Sequence, residues 1–158
     1  MVKTRRKDMG ALASTTYEED IAAWMSQQLA YLKAGEYDKI DMDNFIDEAE
    51  GVVRTDKRSM KSYFVILMGH LLKIQYQPSK KTKSWYYSVD NSRLEINGIL
   101  SDSPSLKSYM PLAFEQAWEQ ARKLAISETN MSTREFPRSC PWDLDYVMNK
   151  KINIEDFR

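Results

Sequence analysis

Residues 63–72, YFVILMGHLL, form the longest apolar run in this chain of 158 residues, and only Gly69 and His70 interrupt it. Apolar residues on both sides of the run keep one phase at about 100° per residue, which is the periodicity of an α-helix. This stripe consists of Phe45, Ile46, Ala49, Val52, Val53, Met60, Tyr63, Phe64, Leu67, Leu71 and Ile74. We therefore predict one helix over residues 42–76, with a break near residues 55–59 as the alternative. Its second half is apolar almost all round, so we expect it to be the central, most buried element.

Three other stretches repeat apolar residues with helical spacing, over about 16–34, 82–100 and 111–129, and a shorter one covers 142–149. The stripe of the first stretch is Tyr17, Ile21, Trp24, Met25, Leu29 and Leu32. Only five glycines and five prolines occur, whereas an all-β domain would need many turns. The predicted fold class is all-α, as an up-down antiparallel four-helix bundle with a long central second helix and a short C-terminal helix.

Several helix ends carry their own signals in the sequence. Residues 16–19 have the form of a capping box, so we expect the first helix to begin there and Gly35 to end it. Ser103 and Pro104 are interpreted as the N-cap and first position of a short helical piece. Pro141 is expected at the first position of the last helix.

Hydrophobic residues make up 42% of the chain and charged residues 29%, which is typical of a globular protein and not of a disordered one. We expect a single helical-bundle domain over residues 15–149. A flexible basic arm over residues 1–14 is expected before it, and a polar C-terminal tail over residues 150–158 after it.

Charge and cysteine content limit the possible functions. Lys and Arg together number 23, as do Asp and Glu, so the net charge is zero and a global positive field for nucleic acid is excluded, although a local patch stays possible. The single cysteine, Cys140, fits a reducing compartment and supports neither a zinc site nor a redox pair. No apolar run approaches the roughly 20 residues of a membrane span. We expect a cytoplasmic protein without membrane contact, bound metal or cofactor.

Four polar residues fall inside apolar stripes, where an unpaired charge is costly: Gln28, Asp56, His70 and Glu128. Asp56 and His70 are fourteen residues apart, or about 21 Å along a straight helix, so they cannot form one dyad unless the helix breaks. Structural roles compete with functional ones at each position. We favour a core histidine bonded to a backbone carbonyl or a side chain for His70, an ion pair with Arg or Lys for Asp56, and solvent exposure for Glu128.

A basic cluster, Lys80, Lys81 and Lys83, follows the predicted second helix, and Trp85, Tyr86 and Tyr87 come next. Lysines beside aromatic rings are typical of anion or single-stranded nucleic-acid contacts. The alternative is a solvated loop whose aromatic residues pack into the bundle. Trp85 keeps phase with Val89 and Ile96, so we expect it to face inward.

Several strings occur together along the chain: YEED at 17–20, RTDKR at 54–58, HLLKIQYQP at 70–78, SDSPSL at 101–106, FP at 136–137 and CP at 140–141. With these strings the chain resembles domain-of-unknown-function family twenty-nine, a bacterial family common in cyanobacteria and proteobacteria. The resemblance covers about residues 15–147, and 70–78 is its most specific part. It implies an all-helical fold, a bacterial source and no assigned activity.

Three functions are compatible with these patterns. A non-catalytic interaction module, presenting a helix face or the basic loop to a protein partner or a second copy, is favoured because no catalytic motif occurs. An enzyme with a polar pocket between helices, using Asp56, His70 or Glu128, is the first alternative. A nucleic-acid contact through the loop of Lys80, Lys81 and Lys83 is the second, and zero net charge counts against it.

Overall fold

The computed structural model describes residues 16–153, and they form five α-helices and four short 3₁₀ turns. The helices are α1 (Ile21–Ala34), α2 (Met42–Tyr76), α3 (Lys83–Asp102), α4 (Met110–Thr129) and α5 (Leu144–Asn149). The 3₁₀ turns are Tyr37–Lys39, Pro78–Lys80, Pro104–Tyr109 and Thr133–Glu135. No strand occurs within residues 16–153, so the all-α helical prediction is confirmed. The up-down order of a four-helix bundle stays a prediction.

The chain divides into two compact units, the first ending at Val52 and the second beginning at Val53. The single domain over residues 15–149 stays a prediction. The expected flexible arm, residues 1–14, lies outside the described residues, as does most of the tail, residues 154–158. Among the described helices, none combines the length and apolar character that crossing a bilayer requires.

Helix α2 runs without a break from Met42 to Tyr76, as the periodicity predicts. Its buried residues begin only at Met60 and include Phe64, Leu67, Met68, Leu71, Leu72 and Ile74. The expectation that Ile46, Val52 and Val53 face the core is wrong, since all three are exposed. A shared phase places residues on one face of a helix, but it does not say how far along that face neighbouring elements extend.

In the second unit, α3 and α4 pack against the second half of α2. Four alanines of α4 are completely buried: Ala113, Ala117, Ala121 and Ala125. Gly69 of α2 lies so close to α4 that an added Cβ would be 2.9 Å from Leu124 Cδ2. Helix α3 contributes Val89 and Ile96, which are both buried. Small residues on both α2 and α4 therefore allow a close approach of these two helices.

The segment between α4 and α5 is held by side chains of α4 that donate to its backbone. Arg122 donates from Nε to the Pro137 carbonyl at 2.9 Å and from Nη2 to the Thr133 carbonyl at 2.6 Å. The Trp118 indole donates to the carbonyl of Arg138 at 3.0 Å. A loop carbonyl has no hydrogen-bond partner from a helix or a sheet. These side-chain bonds satisfy such carbonyls in the segment between α4 and α5.

The first unit has a small core. In α1 only Trp24 and Gln28 are buried, whereas Ile21, Leu29 and Leu32 of the predicted stripe are exposed. The helix also begins later than the capping-box pattern predicts. Residues 17–19 form a turn, and Asp20 is the N-cap, its Oδ1 accepting from the Ala23 amide at 3.0 Å. An Asp directly before the periodic run competes with the earlier signal, because carboxylates are strong N-caps.

One other helix start differs from expectation, whereas the start at Pro104 and the predicted end of α1 are confirmed. Ser103 is the N-cap position and Pro104 the first residue of the turn Pro104–Tyr109, although the Ser103 hydroxyl caps no backbone amide there. Helix α5 begins at Leu144, not near Pro141, because Asp143 Oδ1 accepts from the Tyr146 amide at 2.7 Å. Gly35 ends α1 with a left-handed φ of 75°, which glycine adopts without steric cost.

A matched pair of leucines tests the assignment of the core. We expect Leu67→Ala to lower the free energy of unfolding by about 2–5 kcal/mol, because it empties a completely buried site. The same substitution at Leu94, which is 68% exposed, is expected to change it by less than about 0.5 kcal/mol. Urea denaturation followed by far-UV circular dichroism measures both. Equal losses in the two variants would contradict this core.

Candidate functional site

Gln28 is buried in the first unit, as its place in the α1 stripe predicts. Its Oε1 accepts from the backbone amide of Asp41 at 2.8 Å. A backbone N–H can only donate, so this bond fixes the carboxamide with its oxygen towards Asp41. The Nε2 group is then the part of Gln28 that remains to donate elsewhere.

Asp56 is half-buried on α2 and accepts a hydrogen bond from the hydroxyl of Ser103, with 3.4 Å between the two oxygens. The partner that the structure shows is therefore a hydroxyl, whereas an ion pair with an Arg or Lys was expected. Because α2 is unbroken, the fourteen residues between Asp56 and His70 keep these side chains about 21 Å apart. The structure does not bring them together.

His70 is half-buried, and its Nδ1 lies 2.9 Å from the carbonyl oxygen of Ile66 one turn earlier. The carbonyl accepts, so Nδ1 carries the proton in this bond. Burial lowers the pKa of His70 below its ordinary value of 6.5, and the nearby positive charge of Lys73 lowers it further. The Ile66 bond and the charge of Glu128 act in the opposite direction. The ring is therefore neutral at pH 7, which agrees with a core histidine bonded to a carbonyl.

Glu128 forms an ion pair with Lys73, a buried lysine that the sequence interpretation missed. The Lys73 ammonium on α2 contacts the Glu128 carboxylate on α4 and lies 4.7 Å from the ring centroid of Trp85 on α3. One charge thus joins three helices. The available signal was its position between Leu72 and Ile74, in the half of α2 that is apolar all round. Glu128 itself is 42% exposed, as expected for its side chain, and Trp85 is half-buried.

The three lysines of the basic loop are placed differently from one another. Lys80 and Lys83 are exposed, whereas Lys81 is half-buried and lines a cleft of the second unit. The other lysines of that cleft are Lys150 and Lys151, which follow α5. We call this site the basic cleft. About 70 residues separate Lys81 from the other two, so sequence spacing alone gave no signal of their convergence.

Aromatic residues form much of the basic cleft, whose volume is about 250 Å³. Trp142 and Tyr146 stack with ring planes 2° apart and centroids separated by 5.9 Å. The Trp142 indole donates to Gln75 Oε1 at 3.2 Å, which fixes the ring against α2. Tyr86 also lines the cleft and is buried. Among the described residues that line it, none carries a carboxylate.

Other reactive side chains have ordinary structural surroundings. Cys140 is half-buried and donates to the Trp142 carbonyl at 3.4 Å. Burial raises the pKa of its thiol, so the thiol is protonated at neutral pH. Within residues 16–153, no three His, Cys, Asp or Glu side chains are grouped as the ligands of a metal ion would be.

The fold and these sites define an all-α helical protein that has a basic, aromatic cleft and a buried lysine bridging three helices. The chain belongs to the family described as domain of unknown function DUF29, whose profile matches residues 16–152. The resemblance noted in the sequence is therefore confirmed, while the bacterial source stays a prediction. Neither the curated proteins nor the solved structures compared with this chain gave a match.

The lowered pKa of His70 predicts a pH dependence of stability. A histidine whose folded pKa lies below its unfolded value contributes stability that is complete above about pH 6.5 and is lost as the pH falls. The free energy of unfolding of the native chain, minus that of His70→Gln, should therefore decrease between pH 7.5 and pH 5.5. Denaturation at both pH values measures this difference. A constant or increasing difference would contradict the burial of a neutral ring.

The ion pair of Lys73 predicts the effect of losing its partner. We expect Glu128→Gln to lower the free energy of unfolding by about 1–2 kcal/mol, since it leaves a buried ammonium uncompensated. The partial exposure of Glu128 keeps this below the cost of a fully buried pair. Glu119→Gln, at an exposed position of the same helix, is the control and should have almost no effect. Thermal and urea unfolding compare the two variants, and similar losses would contradict this role.

Proposed function

We propose that this protein is a non-catalytic binding module whose basic cleft takes an anionic group carried on an aromatic or apolar body. One observation carries the proposal: three lysines from two distant segments line the same cleft as a stacked Trp–Tyr pair. The described lining residues add no negative charge to oppose an anion. A local positive potential of this kind is compatible with zero net charge of the chain.

The aromatic part of the cleft supports a ligand with a planar or apolar portion. Trp142 packs edge-on against Trp118, with centroids 6.3 Å apart, and its face is stacked on Tyr146. Tyr146 is 38% exposed, so one side of this aromatic stack is accessible. An aromatic surface beside ammonium groups favours a ligand that combines a ring with an anion. Inorganic anions alone would leave the aromatic surface unused.

The surroundings of the other candidate residues support binding rather than catalysis. Asp56, His70 and Glu128 each have a partner within the fold: Ser103, the Ile66 carbonyl and Lys73. General acid–base catalysis needs such groups within hydrogen-bond reach of a bound substrate.

We also propose a cytoplasmic location, which the single cysteine supports because it suits a reducing compartment.

Binding of small probes tests the basic cleft. We expect phenyl phosphate to bind more tightly than either inorganic phosphate or phenol, because only phenyl phosphate presents both a ring and a charge. The affinity should fall as salt is raised, since lysine–anion attraction is screened. Chemical shifts of a ¹⁵N-labelled full chain measure the affinity and locate the site. Absence of shifts at the basic cleft would contradict the proposal.

Three double variants separate the cleft from other lysines. Replacing Lys150 and Lys151 by Gln should weaken phenyl phosphate binding by about fivefold or more, which corresponds to about 1 kcal/mol. Replacing Lys107 and Lys123, which are exposed outside the cleft, should have little effect. If Lys80→Gln with Lys83→Gln weakened binding as much as the cleft variant, the basic loop would replace the cleft as the site.

A further inference from the structure

A second cleft lies wholly within the first unit, and we call it the polar cleft. Its volume is about 510 Å³, which falls in the range typical of small-molecule sites, roughly 300–1,000 Å³. Trp24 and Gln28, the two buried residues of α1, both line it. The core of the first unit is small, and Gln28, the buried polar residue of α1, borders the polar cleft.

The Gln28 carboxamide is poised to donate into the polar cleft. Only 3% of the residue is exposed, and its oxygen is already bonded to the Asp41 amide. This bond does not use the donor group Nε2, and Gln28 lines the polar cleft. A bound oxygen atom that accepts from Nε2 would add a hydrogen bond to the one that already fixes the carboxamide. Gln27, which is half-buried on the same helix, also lines the cleft and adds a second amide.

Two charged residues of the polar cleft, Lys39 and Asp41, are already engaged with neighbours. Lys39 pairs with Glu36 at 2.5 Å and lies 5.7 Å from the ring centroid of Tyr31. The Asp41 carboxylate accepts from the Asn44 side-chain amide at 2.8 Å. An anionic ligand would meet Glu18 and Asp41, and a cationic one would meet Lys39 and the Gln28 donors. This mixed lining favours a neutral ligand that both donates and accepts hydrogen bonds.

Aromatic rings complete the lining. Tyr17 and Trp24 pack edge-to-face with centroids 4.9 Å apart, and Tyr31 lines the same cleft. The Tyr17 hydroxyl donates to Glu48 Oε1 at 2.6 Å, which orients its ring. Rings of this kind offer an apolar surface to the C–H groups of a polar ligand, while the amides bind its hydroxyls.

We infer that the polar cleft binds a neutral polyhydroxylated compound, such as a sugar or a cyclitol, with one oxygen accepting from Gln28 Nε2. Hydroxyls both donate and accept, which matches the amides and carboxylates of the lining. The inference is independent of the basic cleft, because the two clefts share no residue.

Nuclear magnetic resonance of the full chain tests the ligand class. Glucose, trehalose and myo-inositol serve as neutral probes, and glucosamine and glucuronate as charged analogues of glucose. We expect at least one neutral probe to shift the Gln28 side-chain amide and the Trp24 indole resonances saturably. The charged analogues should bind more weakly than glucose if glucose is the probe that binds. Absence of shifts with all three neutral probes, or tighter binding of a charged analogue, would overturn the inference.

Variants of the lining residues test the donor. Gln28→Glu keeps the shape and the oxygen that faces Asp41 but removes the donating amide, so it should weaken binding about tenfold. Gln116→Glu, at an exposed position of α4, is the matched control and should leave affinity unchanged. If Gln28→Glu does not fold, Gln27→Ala is the alternative variant. We expect it to lower the affinity twofold to threefold, because it removes about one solvent-accessible hydrogen bond. Unchanged affinity in the folded lining variants would overturn the inference.

Discussion

The second half of α2 is apolar over most of its circumference, so most of its surface has to be covered, and the packing of the second unit follows from this requirement. Helix α4 approaches closely through its buried alanines opposite Gly69, and α3 contributes Val89 and Ile96. Phe136, from the segment after α4, packs against Tyr76 with centroids 5.7 Å apart. Even the short α5 supplies a completely buried residue, Val147. Loops and helices alike thus pack against the apolar half of α2.

Periodicity was enough to predict α2, a helix of 35 residues, because one phase persists from Phe45 to Ile74. Burial along that phase was harder to predict, and Val52 shows why: its neighbour Val53 lies five full turns before the buried Leu71 and so shares its face, yet both valines are exposed. Helix starts depended on competition between nearby caps. Asp20 and Asp143 hold the first turns of α1 and α5 where Thr16 and Pro141 were expected to do so. Such competition is settled by backbone geometry that residue types alone do not specify.

The candidate sites were less predictable than the fold, because they join residues that are far apart in sequence. Searching the stripes for polar residues found Gln28, which borders the polar cleft, but missed Lys73, the buried partner of Glu128. Lys81 was singled out with its sequence neighbours, whereas its partners in the basic cleft are Lys150 and Lys151. Periodicity reports which face of a helix a residue occupies. It carries no information on which distant segment faces it.

The bridge from Lys73 to Glu128 and Trp85 has a consequence for how this sequence can diverge. An ammonium enclosed by three helices cannot lose its carboxylate without leaving an isolated charge in an apolar interior. Replacement of the pair by two apolar side chains of similar volume would avoid that cost, whereas replacement of Glu128 alone would not. Positions 73 and 128 are therefore coupled, and covariation between them is the expected evolutionary signature of this contact.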